Sequence, residues 1–334
     1  MRMSAIVVEN LTKQFLSESR PAVDHVSFEV AEGAFIMLLG PSGCGKTTLL
    51  KMINRLYEPT EGRILIGGQV TSTMKVTDLR RGIGYAIQQT GLFPHMRIEQ
   101  NIAVVPRLLG WQQARIDARI DELLELVGLP LAYRARYPRQ LSGGEQQRVG
   151  LARALAADPA IMLMDEPFGA IDAITRTRLQ DELASIQSKL HKTILFVTHD
   201  VEEALRLADK IIIMRDGALV QYDTPLQIIT RPRDQFVRRL VGAEDMLRRL
   251  SLISVAELLA ARSSGLAQPP AGASPAAANV RPDDDLRSVL SLLLRSGAGS
   301  LDVVDGAGAP IDRITFDDLR GALRADAAVP AVAS

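Results

Sequence analysis

Several things are scarce in this sequence. One cysteine, Cys44, stands in 334 residues, so no intrachain disulfide framework can form. Net charge is missing as well: 39 Lys+Arg balance 39 Asp+Glu. A dedicated nucleic-acid binder usually carries a basic excess, so nucleic acid is not an expected partner. No uninterrupted apolar run reaches the roughly 18 residues that a membrane-spanning helix needs. The opening MRMSAIVVENLTKQF has no long apolar stretch after its charges, so no secretory signal is expected. What is present is a 47% hydrophobic content, enough for a sizeable core, and a length that allows one large domain plus a smaller one. A soluble, cytoplasmic globular protein is the expectation.

The zero charge hides a split. From residue 266 onward there are six arginines and nine aspartates, with no lysine and no glutamate. Residues 1–265 therefore carry the compensating positive excess, and two regions of different character are expected. Between Ile6 and about Leu240, short apolar runs alternate with helical patterns. Phe35–Leu39, Ile161–Met164, Ile194–Val197 and Ile211–Met214 read as strands buried on both faces. Trp111–Val127, Ile174–Leu190 and Val201–Ala208 have helical spacing. The alternation predicts an α/β layer architecture. Glu244–Arg262 reads as one helix, followed by an Ala/Pro/Ser/Gly-rich linker. Residues 281–325 read as helix, strand, turn, strand, helix, and 326–334 as a frayed tail.

Gly40-Pro41-Ser42-Gly43-Cys44-Gly45-Lys46-Thr47 fits G-x-x-x-x-G-K-[ST] between the strand FIMLL and a helix at Thr48-Leu49-Leu50. Glycines let successive backbone N–H groups turn inward as an anion nest, and the helix N-terminus adds its dipole. Lys46 would reach the β- and γ-phosphates, and Thr47 would offer its hydroxyl to Mg²⁺. Lysine is scarce, seven in the chain, which makes its place in this loop suggestive. Cys44 reads as a small filler of the loop. This motif alone says nucleotide binding and separates no enzyme class.

The strand Ile161-Met162-Leu163-Met164 ends in Asp165 and Glu166. A carboxylate at such a strand end can hold Mg²⁺, usually through water, and the next one can accept a proton from an attacking water. Ser142-Gly143-Gly144-Glu145 precedes a helix over Gln146–Ala157. Hydroxyl, free N–H groups and dipole make it a second anion site, or an ordinary N-cap. Two phosphate sites in one domain make sense if two chains pair head to tail.

Together these motifs resemble the ATP-binding-cassette (ABC) ATPases. Residues 40–47, LSGGE at 141–145, IMLMDE at 161–166 and Thr198-His199-Asp200 stand in the family order, and the resemblance covers residues 5–240. It implies a P-loop NTPase fold, with ATP and Mg²⁺ held by the loop from Gly40 to Thr48. Gln88 matches the glutamine that contacts Mg²⁺ or the γ-phosphate side and links to a helical subdomain at about 90–157. Phe15 matches the aromatic that stacks on adenine, Asp172 lies in the loop at the dimer interface, and His199 matches the switch histidine beside the catalytic Glu166. The family works as a homodimer closing on ATP, at the cytoplasmic face of the inner membrane. Its partners are transmembrane permease subunits and, indirectly, an extracytoplasmic substrate-binding protein.

YAIQQTGLFPHMRIEQNIAVVPRLLGW and DEPFGAIDAITRTRLQDEL resemble the importers of quaternary-amine osmoprotectants such as glycine betaine, choline and carnitine. An importer of an amino acid or another small solute, and a soluble non-transport ABC ATPase, are the other readings. Residues 281–325 resemble one CBS motif, with Thr315 and Asp318 in the T-x-x-D that binds ribose or phosphate in paired copies. A single copy leaves two roles open, a sensor or a dimerisation tail, beyond a helix and flexible linker at 241–280.

Overall fold

The computed structural model describes residues 4–16, 18–87, 91–169, 171–242, 246–263, 279–306 and 308–325. Expectations that fall on Gln88, the linker and the tail lie outside the described residues. The chain divides into two compact units, Met1–Asp223 and Thr224–Ser334.

In the first unit the elements run β1 (Ser4–Lys13), β2 (Val23–Ala31), β3 (Phe35–Leu39), α1 (Lys46–Ile53), β4 (Glu61–Ile66), β5 (Gln69–Val70), α2 (Val76–Arg81) and β6 (Ile83–Ala86). They continue with α3 (Ile98–Leu108), α4 (Gln113–Leu126), α5 (Gly143–Leu155), β7 (Ile161–Asp165), α6 (Ala173–Leu190), β8 (Thr193–Val197), α7 (Val201–Leu207), β9 (Lys210–Arg215) and β10 (Ala218–Asp223). One sheet is antiparallel, in the order β2-β1-β4-β5. The other has the order β10-β9-β3-β8-β7-β6, and all its pairs are parallel except β10 with β9.

Every residue of β3, β7 and β8 is buried. That is why their sequences are apolar without alternation: helices or the second sheet cover both faces. One core joins the two sheets through Ile6, Val30, Leu38, Leu49, Leu163 and Met214. Because β3, β8 and β7 are neighbours, the loops at their carboxyl ends emerge side by side. In open α/β sheets that edge is where ligands bind.

The second unit contains α8 (Pro225–Thr230), α9 (Gln235–Val241), α10 (Met246–Leu250), α11 (Val255–Ser263), β11 (Asn279–Val280), α12 (Leu286–Ser296), β12 (Ser300–Val304), β13 (Pro310–Thr315) and α13 (Phe316–Ala325). Its sheet order is β11-β12-β13, and its own core includes Leu250, Val255, Leu286, Leu293, Leu301 and Ile314. The single helix expected over Glu244–Arg262 is corrected to two. Ser254 stops the run: its hydroxyl accepts from Glu257 N at 3.2 Å, and its N–H donates to the Glu257 carboxylate at 2.8 Å. This is a capping box that starts α11 afresh. Among the described residues no helix is long and apolar enough to cross a membrane.

Candidate functional site

The loop between β3 and α1 depends on its glycines. Gly45 has φ +105°, and a Cβ there would lie 2.2 Å from the Ala22 carbonyl oxygen. At Gly40, φ is +152° and a Cβ would lie 2.3 Å from the Met214 carbonyl oxygen and 2.7 Å from Cys44 Sγ. Only residues without a side chain pass these points. Cys44 is 4% exposed and fills space beneath the loop, in keeping with its reading as filler. Lys46 is buried, and its ammonium donates to the carbonyls of Gly40 at 2.7 Å and Pro41 at 2.9 Å. The cation therefore lies against the carbonyls of its own loop.

At the end of β7 the Thr47 hydroxyl donates to Asp165 Oδ1 at 3.0 Å. Burial raises the Asp165 carboxyl above the usual carboxylate range, the neighbouring Glu166 adds to this, and Thr47, Lys51 and Lys46 oppose it. A hydroxyl beside a carboxylate is the oxygen pair that Mg²⁺ prefers. Among the described residues no cluster of three or more His, Cys, Asp or Glu could chelate a metal unaided. Phosphate oxygens and water would have to complete the shell, as is usual for Mg²⁺ on a nucleotide.

Glu166 sits at φ +47°, in the left-handed region. Three backbone bonds hold it there: its N–H donates to Val197 at 3.0 Å, and its carbonyl accepts from Gln147 Nε2 at 3.1 Å and Gly169 N at 3.2 Å. Its Oε2 lies 3.4 Å from His199 Nδ1, and the His199 side chain is 71% exposed. The sequence-predicted base and switch histidine are thus brought together, on a face open to an incoming group.

Phe15, Arg20, Ser42, Gly43, Gly45, Lys46, Thr47, Thr48 and Glu166 line one open cleft, with Glu18, Pro21, Ala22, Asp216 and Gly217. The Phe15 ring meets Tyr57 edge-on at 5.4 Å, with Lys13 Nζ 5.2 Å from its centroid. Arg20 and Asp216 were missed by the sequence reading, since no local motif marks them. The start of β2 is tied to the β9–β10 turn, where Asp24 N donates to Gly217 at 2.9 Å, and only that tertiary pairing brings them to the cleft.

Ser142, Gly143, Gly144 and Glu145 do not line this cleft. Ser142 caps α5, which begins at Gly143 rather than at Gln146. Glu145 receives the Ser142 N–H at 2.7 Å and the Tyr133 hydroxyl at 2.9 Å, and these bonds hold its carboxyl below the usual range. Gly143 has no neighbour within 4 Å of where its Cβ would be, so the turn is open to solvent. Asp172 is exposed and caps α6 through Thr175 N at 3.0 Å. In the second unit, Thr315 Oγ1 and N both donate to Asp318 Oδ2, at 2.6 and 2.8 Å. The T-x-x-D pair is thus engaged with itself at the start of α13.

A family model described as ABC transporter matches residues 23–169. The osmoprotectant import ATP-binding protein OsmV of Salmonella typhimurium is 45% identical over 321 residues, which is 95% of this chain and 81% of that protein. The glycine betaine uptake system ATP-binding protein YehX of Escherichia coli is 47% identical over 304 residues, 90% of this chain and 95% of that protein. With the choline transport ATP-binding protein OpuBA of Bacillus subtilis the identity is 51%, but the match spans only 64% of that protein. Among solved structures, a dimeric post-hydrolysis state of the ATP-binding cassette MJ0796 bound to ADP and Pi matches with a TM-score of 0.62 and 33% identity, over 66% of this chain and 98% of that one. The ordered motifs, the shared parallel sheet and this degree of identity place the chain in the family of ATP-binding subunits of ABC transporters.

Proposed function

We propose that this chain powers the uptake of a quaternary-amine osmoprotectant by hydrolysing ATP in a homodimer bound to a separate permease. The observation that carries the ATPase reading is the cleft lined by Lys46, Thr47 and Glu166, with the Asp165 carboxylate bonded to the Thr47 hydroxyl behind it. In this reading the amides of the loop and the Lys46 ammonium take the β- and γ-phosphates. Mg²⁺, held through Thr47 and Asp165, would neutralise charge on the phosphoryl oxygens. Glu166 accepts the proton of the attacking water, and His199 orients both. Phe15 supplies a ring for the base.

The open Ser142-Gly143-Gly144 turn fits a head-to-tail dimer in which each chain offers this turn to its partner's nucleotide. Closure would exclude water and strengthen every charge interaction around the phosphates. Replacing Ser142 with Ala should therefore leave nucleotide affinity of the separate chain unchanged while hydrolysis by the assembled transporter falls. Fluorescent-nucleotide titration beside a phosphate-release assay measures both. Loss of the cap costs about 1 kcal/mol of helix stability. An equal fall in nucleotide affinity would contradict the division of roles.

The groove lined by Arg80, Ile83, Phe93, Val104, Val105 and Arg153 is the place for the permease's cytoplasmic helix. Phe93 is 40% exposed there, and an apolar residue left open beside a groove suits a docking partner. Residues 281–325 are assigned as a CBS-like module, consistent with a helix, two antiparallel strands and a helix in that order. The solute itself touches only the binding protein and the permease. Uptake of labelled glycine betaine, choline and carnitine by a deletion strain tests the substrate class. Loss of uptake of at least one of them is expected, and unchanged uptake of all three overturns the assignment.

A further inference from the structure

Glu166 stands at φ +47°, and a residue with a side chain keeps that conformation only where its surroundings over-determine it. Two of the bonds that do so run between backbone groups. One comes from the neighbouring strand, where Glu166 N donates to the Val197 carbonyl. The other is local, from Gly169 N to the Glu166 carbonyl. The third comes from a side chain on a separate element: Gln147 Nε2 of α5 donates to the same carbonyl at 3.1 Å. Gln147 is 5% exposed. It is the polar member of the buried residues of α5, beside Val149, Leu151, Ala152 and Leu155. An amide buried only for packing costs more than an apolar side chain of the same size. The carbonyl of residue 166 is what this amide reaches.

We propose that Gln147 is a positioning residue for ATP hydrolysis: its amide holds the Glu166 backbone in the turn that sets the Glu166 carboxylate in the cleft, 3.4 Å from His199. Without that donor the backbone at 166 relaxes toward negative φ, and the direction of its Cα–Cβ bond changes with it. Small displacements of a reacting group slow the chemical step strongly. The helix that carries Gln147 begins at the Ser142 turn, and near its far end Arg153 donates to the Gly91 carbonyl at 2.7 Å. Movement of α5 at either end therefore reaches the carboxylate through this one bond. The inference rests on the reading of Glu166 as the base.

Gln147→Met keeps the length of the side chain and removes the donor. In the full chain we expect kcat for ATP hydrolysis to fall about tenfold, which is about 1.4 kcal/mol of barrier. KM for ATP should stay within about twofold, because the bond acts on Glu166 and not on the phosphate loop. Tm should stay close to wild type, since the carbonyl keeps its bond from Gly169. Gln147→Glu is the polar counterpart, because an ionised carboxylate has no proton to donate. It should be slow as well. The Glu166→Gln background tells positioning from a general loss of order in the site. There Gln147→Met should change the residual single-turnover rate by less than about twofold, since the group it positions is already gone. A wild-type kcat in either folded variant overturns the proposal, as does a loss of the same size in the Glu166→Gln background. A Glu166→Gln chain that itself turns over at the wild-type rate overturns the reading of the base instead, so the two failures are told apart.

Discussion

Replacing Glu166 with Gln should lower ATP turnover by roughly 10²–10⁴-fold, the usual contribution of a positioned general base. The amide keeps the size of the side chain and can still receive the water's hydrogen bond, but it cannot take the proton. The three backbone bonds that hold residue 166 come from Val197, Gln147 and Gly169 and do not involve the side chain. Fold and nucleotide affinity should therefore survive. Single-turnover phosphate release, run beside nucleotide titration, separates the two quantities. If turnover stayed within threefold of wild type, another group would have to be the base, and His199, at 3.4 Å, is the alternative in reach.

The second large effect is expected at Gly45→Ala. An L-residue at φ +105° is strained wherever it stands, by about 1–2 kcal/mol. Here its Cβ would also lie 2.2 Å from the Ala22 carbonyl oxygen, so the loop itself must shift. A displacement of the order of 1 Å in a positioning group can cost roughly hundredfold. ATP affinity should fall by that order. Gly43→Ala is the control, since φ is +80° but nothing lies within 4 Å of the new methyl group. It bears the strain without the clash and should retain most of the binding. Equal losses at the two positions would mean that backbone freedom, and not the close approach to Ala22, is what the loop requires.

Much of the first unit was legible because its signals are local. A fully buried parallel strand must be continuously apolar, and β3, β7, β8 and β9 stand where such runs stand. The phosphate loop announces itself by composition, since few sequences other than a glycine-rich one can take its path. What the sequence hid depends on tertiary pairing or on competition between caps. Arg20 and Asp216 enter the cleft only because β2 begins against the β9–β10 turn. Apolar periodicity runs through residues 244–262, but Ser254 and Glu257 make a better helix start than a helix interior. The Glu203–Gln180 bond spans two helices and has no pattern in either. At Ser142 and Asp172 the residue types are those of a ligand site and of a helix cap alike. Within one chain the caps are what form.

The backbone at Glu166 has a cost that falls on the fold and not on the chemistry. A glycine there would relax the left-handed turn by about 1 kcal/mol, and an asparagine would recover part of that. Thermal stability and turnover therefore pull this position in opposite directions. A screen that rewarded heat resistance alone would drift toward chains that still fold and still hold ATP, yet transport nothing. A consensus-stabilised variant of this protein should keep residue 166 fixed and seek its gains elsewhere.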